Sequence, residues 1–471
     1  MEYDYITNSC EVDIMMEMQK AAVAKYRDLI IKTQEYIWAN PETGYREVKT
    51  SKYMEDVFES LGYEIVRAGD IPGFYTVIDT GRPGPEVLVM GELDSLICHE
   101  HPDADPVTGA VHCCGHSAQC AALVGVAAAL KEPGILDGLS GRIRLCAVPA
   151  EELIEIEYRS ELIEKGIIHY LGGKTEFLYR GYFDDCDIAF MVHTTQGKGF
   201  AAKRGSVGIV AKRVLYKGVS SHAGGSPWDG NNALYAATQG LSAINAIRET
   251  FKENDIIRVH PIITKGGGAV NAIPDSVIIE SYVRGRTFEA ISEANRRVNR
   301  ALCGAALSLG CNIDIQDKPG YAPLWNCDPM VELARDAAEA FPDIPFDFMD
   351  TIGSGSTDMG EISCVMPAIH PYAPGAIGKS HGADYYIENA DMACVASAQW
   401  QVIMLTLLLK DGAVRAKQVL ESWKPPFKSS KEYFACVDKL NRSGDRIEYT
   451  ENGAIVHLDG KTGETADTPI L

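Results

Sequence analysis

Basic charge is scarce in this chain: 44 Lys and Arg stand against 65 Asp and Glu, a formal net charge of −21. Binding along a phosphate backbone needs a basic surface that displaces counterions, so nucleic acid is not an expected partner. Long apolar runs are also missing. The most apolar stretch, Val402–Leu409, falls well short of the about 20 residues that cross a bilayer and reads as a buried helix, so no membrane is expected as a partner either. The opening residues carry Glu2, Asp4 and Glu11 where a secretory leader would have a basic start and an unbroken apolar core, so export by that route is not expected. Repeats and low-complexity tracts are absent. Cysteine is plentiful, but thirteen is an odd number and the spacing matches no small disulfide scaffold. Reduced thiols in a cytoplasm are the reading that follows.

A chain of 471 residues, at about 100–200 residues per domain, predicts two or three packing units. Apolar residues recur at helical spacing from Ile14 to Ile37, before the turn chemistry of Asn40-Pro41-Glu42-Thr43-Gly44. Strand-like runs follow at Gly73–Asp79, Val87–Leu93, Arg142–Val148 and Asp187–Val192, with a small-residue helix over Ser117–Leu130. That alternation predicts an α/β fold with a mixed sheet. The charged and aromatic segment Leu153–Asp185 has helical spacing and reads as an insertion beside the site. From about Gly205 the order changes to strand (Ser206–Tyr216), helix (Asn232–Ile247), two strands (Ile257–Thr264, Ser276–Val283) and helix (Phe288–Leu309). This predicts a compact α+β unit over residues 206–316, splitting a first domain made of residues 1–205 and 317–471. Pro329–Phe341 and Asp391–Leu409 read as helices returning to that first domain, and the tail after Lys424-Pro425-Pro426 is polar and without a readable role.

Several residues able to carry chemistry fall at strand ends or in loops. Cys114-Gly115-His116 places a thiolate and an imidazole together just before a helix, a possible half of a metal site. In isolation an ordinary buried Cys and a satisfied His are the favoured account of them. Pro149-Ala150-Glu151-Glu152 follows a buried strand, where adjacent carboxylates are costly unless a cation or solvent meets them. His193 ends a further apolar strand, at the edge where α/β sites collect. His381 lies in the flexible loop Gly378–Gly382. Taken together, one Cys, three His and one Glu form the mixed N/O/S donor set expected for zinc, with manganese or cobalt as alternatives. Glu92, His99, His101 and Asp103 read as a solvated loop or pocket rim. Gly353-Ser354-Gly355-Ser356-Thr357-Asp358 lacks the lysine and strand context of a phosphate loop and is assigned to substrate-side architecture near His381.

The ordered set Asn40-Pro41-Glu42, Gly91–Leu96, Cys114-Gly115-His116, Pro149–Glu152, His193, Ser221-His222-Ala223, Gly268–Asp275, Arg284 and His381 resembles a family of metal-dependent amidohydrolases and metallopeptidases. That family includes aminoacylases, carboxypeptidase G-type enzymes, indoleacetyl-amino-acid hydrolases and aminobenzoyl-glutamate hydrolases. The resemblance implies a metal-binding catalytic domain with an inserted lid and dimerisation domain, and a homodimer formed through that lid. It implies two divalent metal ions, with Cys114 bridging them and His116, Glu152, His193 and His381 completing the ligands. Glu151 falls at the position of the general base, His222 and Asn271 at positions in the lid that contact the oxyanion and substrate across to a partner's metal site, and Arg284 at the position that holds a substrate carboxylate. A surface strand charge is the plainer account of Arg284, and turn stabilisation that of Asn271.

The function so implied is hydrolysis of an amide bond in a small molecule, an N-acyl or aminobenzoyl amino acid or a dipeptide with a free carboxylate. A deacetylase or aminoacylase acting on a biosynthetic intermediate is the alternative within that class. Many relatives carry Asp and His where this chain has Ser117 and Gln119, which keeps open a metal-binding scaffold without turnover. A cysteine hydrolase using Cys113 or Cys114 with His116 is a third reading, distinguished by sensitivity to alkylation and not to chelation.

Overall fold

The computed structural model describes residues 14–459, and the chain divides into two compact units. The first holds the chain up to Gly205, Trp325–Thr351 and Glu361–Lys428; the second holds Ser206–Leu324, Ile352–Gly360 and the chain from Ser429 onward. The acidic opening residues lie outside the described residues.

In the first unit six strands are ordered Val66–Arg67, Phe74–Asp79, Arg142–Val148, Glu86–Glu92, Ile188–Phe190, Ala368–Ile369. The first two pairings are antiparallel and the last three parallel. Glu86–Glu92 is buried at every residue, as a strand with parallel neighbours and covered faces must be. Its run of Val, Leu and Met supplies the apolar surface for that position. The helix His116–Ala129 is also buried at all its residues, because its Ala, Gly and Ser side chains let neighbouring elements approach closely. At Gly125 a Cβ would come within 2.7 Å of Ile30 and 2.8 Å of Ala398.

Two helices differ from the sequence-based expectation. The opening helix is interrupted by a turn at Lys25 and Tyr26 before resuming as Arg27–Trp38. Asp391–Ser422 is, by length and composition, apolar enough to cross a membrane, but 89% of its most apolar window is buried within the structure, so it is a core helix. Its course breaks where Asp411, Gly412 and Ala413 take left-handed φ values of 55°, 70° and 58°.

The second unit is an antiparallel sheet ordered Arg258–Val259, Ser276–Gly285, Gly208–Lys217, Asn312–Pro319, with Ile262–Lys265 also paired to Ser276–Gly285. Ser276–Gly285 alternates buried with half-buried residues along its whole length, the pattern of a sheet with one face on a core. The helices Ala233–Ile247 and Phe288–Ser308 supply that core. Asn232 starts the first of them by accepting hydrogen bonds from the amides of Leu234 and Tyr235 at 3.0 and 3.1 Å.

The tail, expected with the first domain, belongs to this second unit. Its backbone adds to the edge strand Asn312–Pro319: the Asp317 amide donates to Arg442 O at 2.7 Å, the Arg442 amide to Asp317 O at 3.0 Å, and the Arg446 amide to Ile313 O at 2.9 Å. An edge strand presents unpaired amides and carbonyls, and the tail satisfies them. No side-chain periodicity in the tail reveals that pairing, because backbone groups make it.

Candidate active site

Glu92, Pro149–Glu152, His193 and His370 all lie at or just beyond the carboxyl ends of parallel strands in the first unit, where open α/β sheets gather their ligands. The turn at Gly115 carries φ 95°, and a Cβ there would lie 2.2 Å from Thr194 Oγ1 and 2.3 Å from the Tyr385 hydroxyl. Only glycine lets Cys114 and His116 converge from that turn. His116 Nδ1 donates to Asp94 O at 2.9 Å, with Asp94 Oδ1 at 3.2 Å, which leaves Nε2 facing inward. His193 Nδ1 donates to Thr194 O at 2.9 Å, and its Nε2 lies 3.4 Å from Cys114 Sγ. Both rings are thus oriented by the nitrogen that a metal would not use.

The adjacent carboxylates Glu151 and Glu152 are fixed by strained backbone. Ala150 has φ 57°, and its amide donates to Glu47 Oε1 at 2.7 Å. The Glu152 amide donates to Asp94 Oδ2 at 2.8 Å, so Asp94 sets both His116 and Glu152. The fully buried Arg159 guanidinium donates to Glu152 O and, at 2.7 Å, to Leu171 O. His381 comes from the other end of the unit's sequence with φ 63°. Its amide donates to Cys113 O at 2.9 Å and its Nε2 lies 3.2 Å from Glu152 Oε1.

The five sequence-predicted ligands form two trios that share one atom. Cys114, His116 and His193 make one; Cys114, Glu152 and His381 make the other, and within each the donor atoms lie within 4.8 Å of one another. Buried His116 Nε2 and Glu152 Oε1 have no aligned hydrogen bond among the described residues, so both are available to a cation. Electrostatics point the same way. Burial and Glu152 push the Cys114 thiol up, but His116 and His193 outweigh them and bring it to about 6. Burial also raises Glu152, yet His381 and His116 hold it at about 2. Glu152 in turn drives His381 up to about 11, against burial. Burial opposes protonation of His116 and His193 as well; Glu92 and Cys114 overcome it at His116, and Cys114 at His193, so both are raised. A divalent metal would replace the protons on such imidazoles and keep the thiolate and carboxylate as its ligands, with release of protons. These residues fit a metal site. Glu151 is buried, in neither trio, with Oε2 3.9 Å from His116 Nε2.

The loop expected to be solvated is in part the opposite. Glu92 is fully buried: Lys174, also fully buried, donates to Oε1, Gln119 Nε2 donates to Oε2 at 2.9 Å, and His116 Nε2 lies 3.1 Å from Oε2. Burial raises Glu92, but Lys174, His116 and His193 more than offset it and set it at about 2. His101 is buried too, donating from Nε2 to Tyr385 O at 2.9 Å and packing against Trp38 and Tyr386. His99 and Asp103 are exposed as expected. Glu92 closes a buried strand, which is the signal that could have placed it; Lys174 and Arg159 carry none, since a cation on a charged helical segment reads as solvated. Ser117 is buried beside this group, and Gln119 serves Glu92.

His222, Asn271 and Arg284 belong to the second unit. His222 and Asn271 are neighbours there: the Ala223 amide donates to Asn271 O at 3.0 Å, and His222 bridges Ala272. His222 Nδ1 accepts from the amides of Gly224 and Gly225 at 3.1 and 2.9 Å, so its exposed ring carries the proton on Nε2 and presents a donor. Arg284 donates to His260 Nε2 at 3.1 Å and to Ser356 Oγ at 3.0 Å. Ser356 belongs to the Gly-Ser loop, which therefore serves Arg284.

The Xaa-Arg dipeptidase of Mus musculus is 27% identical over 378 residues, covering 78% of this chain and 81% of that protein. A p-aminobenzoyl-glutamate hydrolase polypeptide of Escherichia coli is 28% identical over 282 residues, 58% of this chain and 54% of that one. A Bacillus subtilis dinuclear metal binding peptidase superposes with a TM-score of 0.61 at 19% identity, covering 82% of this chain and 99% of its own, which shows a shared fold. Residues 88–404, which contain both ligand trios, match Peptidase family M20/M25/M40; the chain belongs to that family and is a metal-dependent amidohydrolase or peptidase.

Proposed function

We propose that this enzyme hydrolyses the amide bond of a small N-acyl or aminobenzoyl amino acid, or of a dipeptide, that bears a free carboxylate. The observation that carries this reading is the sharing of Cys114 between two donor trios, with Glu151 beside them and outside both. Two divalent ions, zinc in our reading, would be held by Cys114, His116 and His193 and by Cys114, Glu152 and His381. When bound they supply Lewis acidity toward the scissile carbonyl and toward the attacking water. Glu151 takes the water's proton and passes it to the leaving nitrogen, a role open to a carboxylate outside both metal trios. His222 Nε2 and the Asn271 amide donate to the developing oxyanion at the metal site of a partner copy of the chain, and Arg284, held in place by His260 and Ser356, pairs with the substrate carboxylate.

The relatives named for dipeptides and aminobenzoyl-glutamate support that substrate class. A homodimer through the second unit is supported by the exposed strand Ile262–Lys265, with Tyr235 and Val270 also exposed. Free cysteines among the described residues support a reducing, cytoplasmic setting. The test is metal content together with cleavage of a panel of N-acyl-amino acids, aminobenzoyl-glutamate and dipeptides, before and after chelation. About two metals per chain and cleavage that chelation abolishes are expected. Glu151→Gln should lower kcat by at least about 10²–10⁴-fold, the range for a lost general base, with metal content unchanged; loss of metal together with activity would make Glu151 a ligand instead.

A further inference from the structure

Glu92 presents a third set of donors. Its carboxylate, His116 Nε2 and Glu151 also lie within 4.8 Å of one another, and all three residues are buried. A metal drawn into this set would take His116 away from Cys114 and occupy Glu151, the carboxylate that the reaction needs unligated. The arrangement that prevents this is already in place. Lys174, fully buried on the helix Gly173–Tyr179, donates its ammonium to Glu92 Oε1, and Gln119 donates to Oε2. A fixed cation against Glu92 repels a second cation there, whatever the neighbouring groups do. Resting on the metal reading above, we propose that Lys174 is a positioning residue: its ammonium denies Glu92 to metal, keeps the ion on Cys114, and keeps Glu151 out of the metal's ligands so that it can move protons.

The assignment separates from a merely structural ion pair by where the metal sits. Co(II) added to the metal-free full chain gives a thiolate-to-cobalt charge-transfer band only when Cys114 is a ligand. Lys174→Met and Lys174→Gln should still take up Co(II) while losing at least half of that band and at least tenfold in kcat. Adding Glu92→Gln to either variant should restore the band and recover most of the lost turnover, since the competing carboxylate is gone. A full band in both single variants, or a double variant no better than its parent, would overturn the proposal. If the single variants do not fold without metal, refolding with Co(II) should rescue them, the ion standing in for the ammonium at Glu92, again without the full band; no rescue would equally overturn it. A wild-type chain that takes up no Co(II), or shows no thiolate band, would instead overturn the metal reading itself.

Discussion

Each unit of this chain buries a lysine against a carboxylate, and in each pair both side chains are fully buried. In the second unit Lys212 donates to Asp317 Oδ1 and to Asn299 Oδ1, while Asn295 and Asn299 both donate to Asp317 Oδ2 at 2.9 Å. That carboxylate is surrounded by amides that ask nothing of it but charge balance. In the first unit Lys174 meets Glu92, whose other oxygen faces a ring nitrogen of His116. The same two chemical groups thus do different work. A buried ion pair gains little net stability over well-packed apolar residues, because desolvation offsets the Coulomb attraction. What distinguishes the two pairs is the third group that each carboxylate touches.

The largest effect that would sharpen this contrast is at Lys212. Lys212→Met leaves Asp317 buried with its amide donors but without its counter-charge, which should cost about 3–5 kcal/mol. Denaturant unfolding should register that loss. The thiolate-to-cobalt band and the kcat of the folded fraction should stay as in the wild type, in contrast to Lys174→Met. A Lys212 variant that lost the thiolate band while still folded would erase the distinction between the pairs.

Next in size is Asp94, which orients ligands as Glu92 does not. It accepts from His116 Nδ1 and from the Glu152 amide, one ligand from each trio. Asp94→Asn keeps the shape but weakens both contacts, and partners of this kind are typically worth about 10–100-fold in metal affinity. Competition against a chelator of known affinity would measure it, with an unchanged affinity counting against a role for Asp94 in orientation.

The difference between the pairs also marks what can be read in the sequence. The candidate ligands Cys114, His116, Glu152, His193 and His381 are legible because each follows a strand or sits in a loop within an ordered set of motifs. The long parallel strands are legible because Val87–Leu93 and Arg142–Val148 are apolar runs too short for helices. Lys174 and Lys212 are not, since a lysine in sequence defaults to solvent and only tertiary packing buries it. The tail pairs through backbone groups that every sequence possesses, so its place on the Asn312–Pro319 edge leaves no pattern. Glu92 reads as solvated because its neighbours His99 and Asp103 do face solvent, and a strand's last residue is where the boundary between core and loop falls.

The smallest expected effect is the most discriminating. Replacing both members of the second pair, Lys212→Met with Asp317→Leu, removes two desolvation penalties along with the attraction. Asn295 and Asn299 then lose an acceptor, at about 1–3 kcal/mol for each buried donor left unsatisfied. Against that, exchanging a buried pair for apolar residues is often neutral or stabilising by about 1–4 kcal/mol. The two terms oppose each other, so the double variant should unfold within about 2 kcal/mol of the wild type, and the coupling between the mutations should recover most of the loss seen in Lys212→Met alone. In the first pair the corresponding exchange should recover function as well as fold, because there the carboxylate competes for a metal. If the Lys212 and Asp317 double variant remains as unstable as the single one, the amides and not the charges hold that core, and the pair in the second unit is a hydrogen-bond network in which the lysine plays the lesser part.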